Sequence, residues 1–329
     1  MINQYNPEIH KGIQPIRVLV NNIIVHFENV YPDFKEESKF HKKLYLLSPE
    51  ILCYLDREPL NSKTVDLTPY IEEDDKGIKR IYISETFLSY EWCICYAIVS
   101  IYFDFIYYPT LKAKDRGLTE WKNHNEIEEF IDLSNFNETK KAISYGFSLI
   151  ESYSEWDKNN LPNPELFPEE KKEIIGRANY AFLCATTYIL SHEFSHAKLG
   201  HTEEKCKINE FEKENQAEEN ALKMIIKGIP SEDADKKFNV SIGTIAGICS
   251  LFFMNPTLEN EGHPDCDVRV KKYFELLNID KKDSLWAIPC IAYQLWNIAY
   301  GKNLCFPCNE ETYKDLFLNL QEQEWSKRK

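Results

Sequence analysis

The segment PEEKKEIIGRANYAFLCATTYILSHEFSHAKLGH, residues 168–201, sets the helical architecture of this chain. Apolar residues recur from Ile174 to Leu190 at spacings of three and four, the period of an amphipathic helix. Pro168 suits the first helical position, and Gly200 suits the residue that ends the helix. The segment therefore predicts one long helix whose last two turns, SHEFSHAKL, carry an unusual set of polar side chains.

Further helices are predicted around this segment, so the fold class is mainly α with a small β element. ETFLSYEWCICYAIVSIYFDF, residues 85–105, indicates a long buried helix. Asn209 is a predicted N-cap and Gly228 the end of the next helix, EFEKENQAEENALKMIIK. Other helices are predicted near 232–254, from Pro264 onward, and near 284–300 and 310–326. KRIYIS, residues 79–84, alternates like a strand, and VDLTPYI, residues 65–71, is its predicted partner.

The proline-rich stretch NNLPNPELFP, residues 159–168, marks the predicted division of the chain. Three prolines in seven residues exclude a helix there, so we expect the segment to cross the surface. An N-terminal α+β region, 1–158, would precede it. The helical region that carries the candidate site, 159–329, would follow, with both forming one compact two-lobed unit.

Composition restricts the partners and the location of the protein. The 329 residues carry 39 basic and 53 acidic side chains, a net charge of −14, which disfavours nucleic acid and anionic membranes. The N-terminal residues show no basic segment followed by an apolar run, so a cytoplasmic location is predicted. Three apolar runs, 92–108, 242–254 and 285–300, are predicted to be core helices rather than membrane spans. The C-x-x-C pair Cys305 and Cys308 lacks a second pair nearby, which favours incidental thiols.

The polar residues of SHEFSHAKL predict a metal centre. His192 and His196 lie four residues apart, so a helix stacks both imidazoles on one face. Glu193 projects about 100° from His192, close enough to reach a water on an ion held by the pair. This is the H-E-x-x-H pattern, in which two histidines bind zinc and the glutamate takes a proton from a water activated by the metal. One zinc ion per chain is expected.

A zinc site needs a third protein ligand, and the next helix offers two carboxylates on one face. Glu214 is the first choice, and Glu218 then accepts a hydrogen bond from a ligand histidine. Their roles could be reversed. His201 and His263 are rivals for the third position, although His201 also suits a helix C-terminal cap. His263 could instead stabilise negative charge on the substrate, and Arg269 could hold a carboxylate of the site.

The segments HEFSHAKLGH, ENQAEENA and HPDCDVR, in that order and spacing, resemble gluzincin-type peptidases and, more closely, the Lit phage-exclusion peptidase family. The resemblance spans residues 79–278. It implies a soluble zinc endopeptidase of the cytosol that acts during phage infection on elongation factor Tu, with a phage-derived activator as a further partner. It also implies that His192 and His196 are ligands and Glu193 the catalytic base. Related zinc peptidases usually have Asp where this chain has Glu218.

Two other functions remain open on the sequence. A housekeeping or regulator-cleaving zinc peptidase would use the same residues on a different protein or peptide substrate. A non-enzymatic zinc-binding scaffold would retain the ligands without hydrolysis.

Overall fold

The computed structural model of the chain describes residues 12–32, 44–45, 69–73, 79–117, 130–203, 205–229, 233–258, 262–307 and 309–328. Within these ranges the protein is mainly helical with one small sheet, which confirms the predicted fold class. Cys308 and residues 65–68 of the predicted partner strand lie outside the described ranges.

Every predicted helix is present, and the structure adds three that the sequence did not predict. The helices are α1 Val20–Val30, α2 Glu85–Tyr102, α3 Tyr108–Asp115, α4 Phe136–Glu151, α5 Lys172–Lys198, α6 Glu210–Lys227, α7 Ala234–Ser250, α8 Cys266–Leu276, α9 Ala287–Tyr300 and α10 Tyr313–Lys327. The three additional helices are α1, α3 and α4. A π-helical turn, Phe103–Tyr107, joins α2 to α3. Local capping sets several ends: the Asn209 side chain accepts the Glu212 backbone N–H at 2.9 Å at the start of α6. Pro168 precedes the first turn of the α5 segment rather than occupying it.

The β element is a three-stranded sheet of β1 Leu44–Tyr45, β2 Tyr70–Glu73 and β3 Lys79–Tyr82, in the spatial order β1-β3-β2. The second and third strands are antiparallel, with Tyr70 opposite Tyr82. The predicted pairing is therefore confirmed for Tyr70 and Ile71. The described part of the partner strand, however, extends two residues beyond the predicted end at residue 71.

Helix α5 runs through the core and packs against α2, α6 and α7. Two glycines allow α7 to lie directly on α5. A Cβ on Gly243 would be 2.4 Å from the Cys184 Cβ, and one on Gly247 would be 2.9 Å from the Ala185 Cα. Both distances are too short for a side chain, so this close approach requires glycine. This contact holds α5, the helix that carries the H-E-x-x-H residues, in position against α7.

Helix α2 with its continuation, Glu85–Asp115, is long and apolar enough to cross a membrane by length and composition alone. Its most apolar window of 18 residues has a mean hydropathy of 1.3, and 61% of that window is buried inside the protein. Every residue from Glu85 to Ser100 is buried. The apolar side chains of this helix therefore pack into the core.

One apolar core cluster contains residues from both predicted regions, including Leu88 and Phe87 before the proline-rich stretch and Phe182 and Ile245 after it. The boundary at 158/159 stays a prediction. Residues 159–168 form no helix, as expected, but the expectation that they cross the surface is wrong for their centre, where Pro162, Asn163 and Pro164 are buried.

Candidate metal centre

The last two turns of α5 present His192 and His196 on one buried face. Their side chains are 9% and 11% exposed, and the two Nε2 atoms lie 3.2 Å apart. The rings meet edge to face with centroids 4.9 Å apart. The i, i+4 spacing of the motif thus brings two imidazole nitrogens to a single point.

Helix α6 supplies a carboxylate to the same point. Glu214 Oε2 lies 3.0 Å from the Nε2 of His192, and Glu214 Oε1 lies 3.3 Å from the Nε2 of His196. Ala217 and Ala221, both fully buried, allow α6 to approach α5 this closely. The three residues offer ligand atoms that all lie within 4.8 Å of one another. We call His192, His196 and Glu214 the triad.

The spacing within the triad fits a metal ion. Ligand atoms placed tetrahedrally about 2.0–2.1 Å from one ion lie roughly 3.3–3.4 Å from each other. The two Nε2 atoms lie 3.2 Å apart, and each lies 3.0 or 3.3 Å from a different oxygen of the Glu214 carboxylate, near that separation. Two imidazole nitrogens and one carboxylate form a donor set of the kind that binds zinc and other divalent transition metals. The triad could therefore hold one metal ion.

The electrostatics of the triad also favour a cation. Burial tends to lower the pKa of His192, but the contacts with Glu214 and Glu218 outweigh burial and raise it to about 9. Burial tends to raise the pKa of Glu214, and hydrogen bonds from His192, His196 and His263 hold it well below its ordinary value. Surroundings that stabilise positive charge on an imidazole stabilise a bound cation for the same reason.

Glu218 lies behind His192 rather than in the triad. Its Oε2 is 3.5 Å from the Nδ1 of His192, at the outer limit of a hydrogen bond. The same oxygen accepts from the Tyr188 hydroxyl at 2.8 Å and lies 3.4 Å from Arg269. Glu218 is 1% exposed, and the charge of Arg269 together with His192 and Tyr188 overcomes the effect of burial and lowers its pKa. The longer side chain of Glu at this position reaches His192.

Residues 262–269 bring the two remaining predicted side chains to the centre. The Nδ1 of His263 lies 2.7 Å from Glu214 Oε2, and its side chain is 38% exposed, so His263 stands at the open edge of the triad. Arg269 is 6% exposed and donates from Nε to the Pro264 carbonyl at 2.9 Å. Arg269 thus links the segment that carries His263 to Glu218.

Glu193, which lies between the two histidines in the sequence of α5, is buried, with 9% of its surface exposed. Burial raises its pKa to about 7; the nearby charges of His192 and Arg269 oppose that rise, and the charge of Glu214 adds to it. Among the described residues, no hydrogen bond to its carboxylate is found. The carboxylate is therefore free to accept a proton from a molecule bound at the triad.

Sequence reasoning did not identify three contacts of the centre. Tyr188 lies one turn before His192, and this i−4 spacing could have indicated its contact with Glu218. His201 does not point into the triad: its Nδ1 lies 3.2 Å from the Nδ1 of His196, the ring atom opposite the one that faces Glu214. Its Nε2 lies 3.2 Å from the side-chain oxygen of Gln216.

The fold and the site define a mainly α-helical protein with a buried His-His-Glu triad that could hold a metal ion. The model of the family Peptidase U49 matches residues 81–289, which include every residue of the triad. This match covers more than half of the chain, and the protein belongs to the Peptidase U49 family. No curated protein matches the chain, and no solved structure matches it. Family membership supports peptidase activity, and a peptidase implies a protein or peptide substrate.

Proposed function

We propose that the protein is a zinc-dependent endopeptidase that binds one zinc ion per chain through His192, His196 and Glu214. The observation that carries this proposal is the convergence of two imidazole nitrogens and one carboxylate at the mutual spacing of ligands on one ion. These atoms come from two helices, and His192 and Glu214 are 22 residues apart along the chain. The family match adds independent support for hydrolysis of peptide bonds.

Each of the other residues around the triad has a separate role in the proposed reaction. A zinc ion bound here would polarise the scissile carbonyl and make a water molecule more acidic. The buried Glu193 carboxylate takes a proton from the attacking water and delivers it to the leaving amine. His263, at the open edge, donates a hydrogen bond to the oxygen on which negative charge develops. Glu218 orients the ring of His192 through Nδ1, and Arg269 holds Glu218 in place.

The resemblance of HEFSHAKLGH, ENQAEENA and HPDCDVR to the Lit family suggests a particular substrate. On that basis the protein cleaves elongation factor Tu in the cytoplasm during phage exclusion, in the presence of a phage-derived activator. Neither nucleic acid nor a membrane is a partner in this proposal. The net charge of −14 is consistent with a protein substrate rather than an anionic polymer.

The test compares wild type with Glu193→Gln, using Glu210→Gln as a control on the exposed start of α6, where that side chain is 75% exposed. Purified elongation factor Tu is incubated with each protein, with and without lysate from phage-infected cells, and fragments are identified by mass spectrometry. We expect cleavage by wild type and Glu210→Gln and a loss of about 100-fold or more in Glu193→Gln. Zinc content should be equal in all three proteins.

Other outcomes separate the rival functions. Cleavage of a different host protein, without protection of cells from phage, would favour a housekeeping or regulator-cleaving peptidase. Zinc binding without any Glu193-dependent cleavage would favour a zinc scaffold and contradict the proposal.

A further inference from the structure

The turn that ends α5 folds His201 back onto the ligand His196. Gly200 has φ +72°, the left-handed conformation that glycine adopts without strain. The His201 N–H donates to the His196 carbonyl at 2.9 Å, and the Gly200 N–H donates to the Ala197 carbonyl at 3.2 Å. This pair of bonds is the Schellman motif. It places the His201 ring 5.2 Å from the His196 ring, where His201 is only 5% exposed.

The hydrogen bonds of Gln216 set the orientation of its amide and thereby the tautomer of His201. The Gln216 Nε2 donates to Glu212 Oε1 at 3.0 Å, so the amide oxygen of Gln216 faces the Nε2 of His201 at 3.2 Å. The opposite amide orientation would place two acceptor oxygens, from Gln216 and Glu212, against each other. Because an amide oxygen only accepts, the Nε2 of a neutral His201 must carry the hydrogen.

That assignment fixes the next ring as well. With its hydrogen on Nε2, His201 has a lone pair on Nδ1, which accepts from the Nδ1–H of His196 at 3.2 Å. His196 then keeps the lone pair of its Nε2 for the triad. A histidine that binds a metal through one nitrogen commonly donates its other N–H to a neighbouring acceptor, which sets the tautomer and the ring orientation.

We propose that His201 is a positioning residue that, with Gln216 behind it, orients His196 and holds it in the tautomer able to bind the metal. The inference rests on the proposed zinc site. Glu218 Oε2 lies 3.5 Å from the Nδ1 of His192, at the outer limit of a hydrogen bond, so it occupies the corresponding position behind the other ligand histidine. The chain from Gln216 through His201 to His196 also joins α6 to α5 on the far side of the triad.

The alternative is that His201 only fills space at the end of the helix. His201→Leu removes the acceptor and keeps an apolar side chain, whereas His201→Asn keeps an amide oxygen near the place of Nδ1. Gln216→Leu removes the far end of this hydrogen-bonded chain at a half-buried position. Asn220→Leu is the matched control, because Asn220 also joins α6 to α5, through Ser195 Oγ at 2.8 Å, without contacting a ligand.

The experiment measures the zinc affinity of metal-free, full-length protein by competition with a chromophoric chelator, alongside thermal unfolding of each metal-free variant. We expect His201→Leu to lose about 10- to 100-fold in affinity and Gln216→Leu about 3- to 10-fold. His201→Asn and Asn220→Leu should stay within about threefold of wild type. If His201→Leu fails to fold, Gln216→Leu compared with Asn220→Leu decides the question.

Two results would overturn the inference. The first is that His201→Leu binds zinc as tightly as wild type. If His201→Leu does not fold, the same result for Gln216→Leu has this meaning. The second is an equal loss in His201→Leu and His201→Asn, which would reduce His201 to packing. Absence of zinc binding by the wild type is a different outcome, because it removes the proposed function and this inference together.

Discussion

Replacement of Arg269 by Met should remove the guanidinium that offsets the burial of the Glu218 carboxylate most strongly, leaving only its contacts with His192 and Tyr188. The two side chains are 7% and 1% exposed, and their N–O distance is 3.4 Å. A buried carboxylate that loses its partner costs about 3–5 kcal/mol unless it takes up a proton. Uptake of a proton limits the penalty on the ionised form of Glu218 in the variant: with an unfolded-state pKa of 4.5, this penalty cannot exceed (7.0 − 4.5) × 1.36, about 3.4 kcal/mol, at pH 7. Loss of the Arg269 bond to the Pro264 carbonyl adds about 1 kcal/mol.

The loss of unfolding free energy in Arg269→Met should therefore be about 4 kcal/mol at pH 7 and about 2 kcal/mol at pH 5, since (5.0 − 4.5) × 1.36 is about 0.7. The direction of this pH dependence follows from the pKa of Glu218 in the folded wild type and in the folded variant. In wild type the Glu218 pKa is lowered, so its ionised form stabilises the fold above pH 4.5 and this contribution is lost as the pH falls. In the variant we expect burial to outweigh the remaining contacts with His192 and Tyr188 and to raise the Glu218 pKa, so the penalty grows as the pH rises above 4.5.

The assay is urea denaturation in the presence of a metal chelator, so that bound metal does not contribute. Lys223→Met is the control, because Lys223 pairs with Glu219 on the same helix at 61% and 47% exposure and should cost less than about 1 kcal/mol. The double variant Glu218→Gln/Arg269→Met should recover most of the pH-dependent loss. A loss in Arg269→Met no larger than in Lys223→Met, or one independent of pH, would refute this reasoning.

Three further predictions concern stability and are measured by thermal or chemical unfolding. Gly243→Ala should cost about 1–3 kcal/mol, because its Cβ would meet the Cys184 Cβ at 2.4 Å; no loss would show that α5 and α7 can separate freely. Gly200→Ala should destabilise the protein by about 1–2 kcal/mol, because residue 200 has a φ of +72°. Its control, Gly176→Ala, lies at an exposed helix position with open space and should stabilise the protein by about 1 kcal/mol. Equal effects of the two substitutions would contradict the left-handed conformation of residue 200. Zinc at 100 times its Kd should stabilise the metal-free protein by about 2.7 kcal/mol, and no stabilisation would argue against a folded-state site.

The parts of the fold that follow from local sequence were predictable. Asn209 and Gly228 bound α6 as expected, since capping depends on residues within one turn. The burial of Pro162 to Pro164 was not predictable, because it depends on distant chain segments. Arg17 binds the adjacent Glu165 at 2.8 Å from 148 residues away.

The site shows the same division between near and distant contacts. The pairing of His192 with His196 follows from helical spacing alone. The sequence could not separate Glu214 from Glu218, since both lie on one face of α6. Their roles differ only through the docking of α6, which directs Glu214 to the Nε2 atoms and Glu218 to the Nδ1 of His192. His201 was seen as a rival ligand or a cap, and its contact with Gln216 depends on the same docking.

The most direct test of the metal centre is the zinc content of purified protein, measured by elemental analysis beside His192→Ala and the control Glu210→Gln. We predict about one zinc per chain in wild type and in Glu210→Gln, and less than about a tenth of that in His192→Ala, since two remaining ligands hold zinc weakly. A metal-free wild type, or His192→Ala that retains a full zinc ion, would contradict the account.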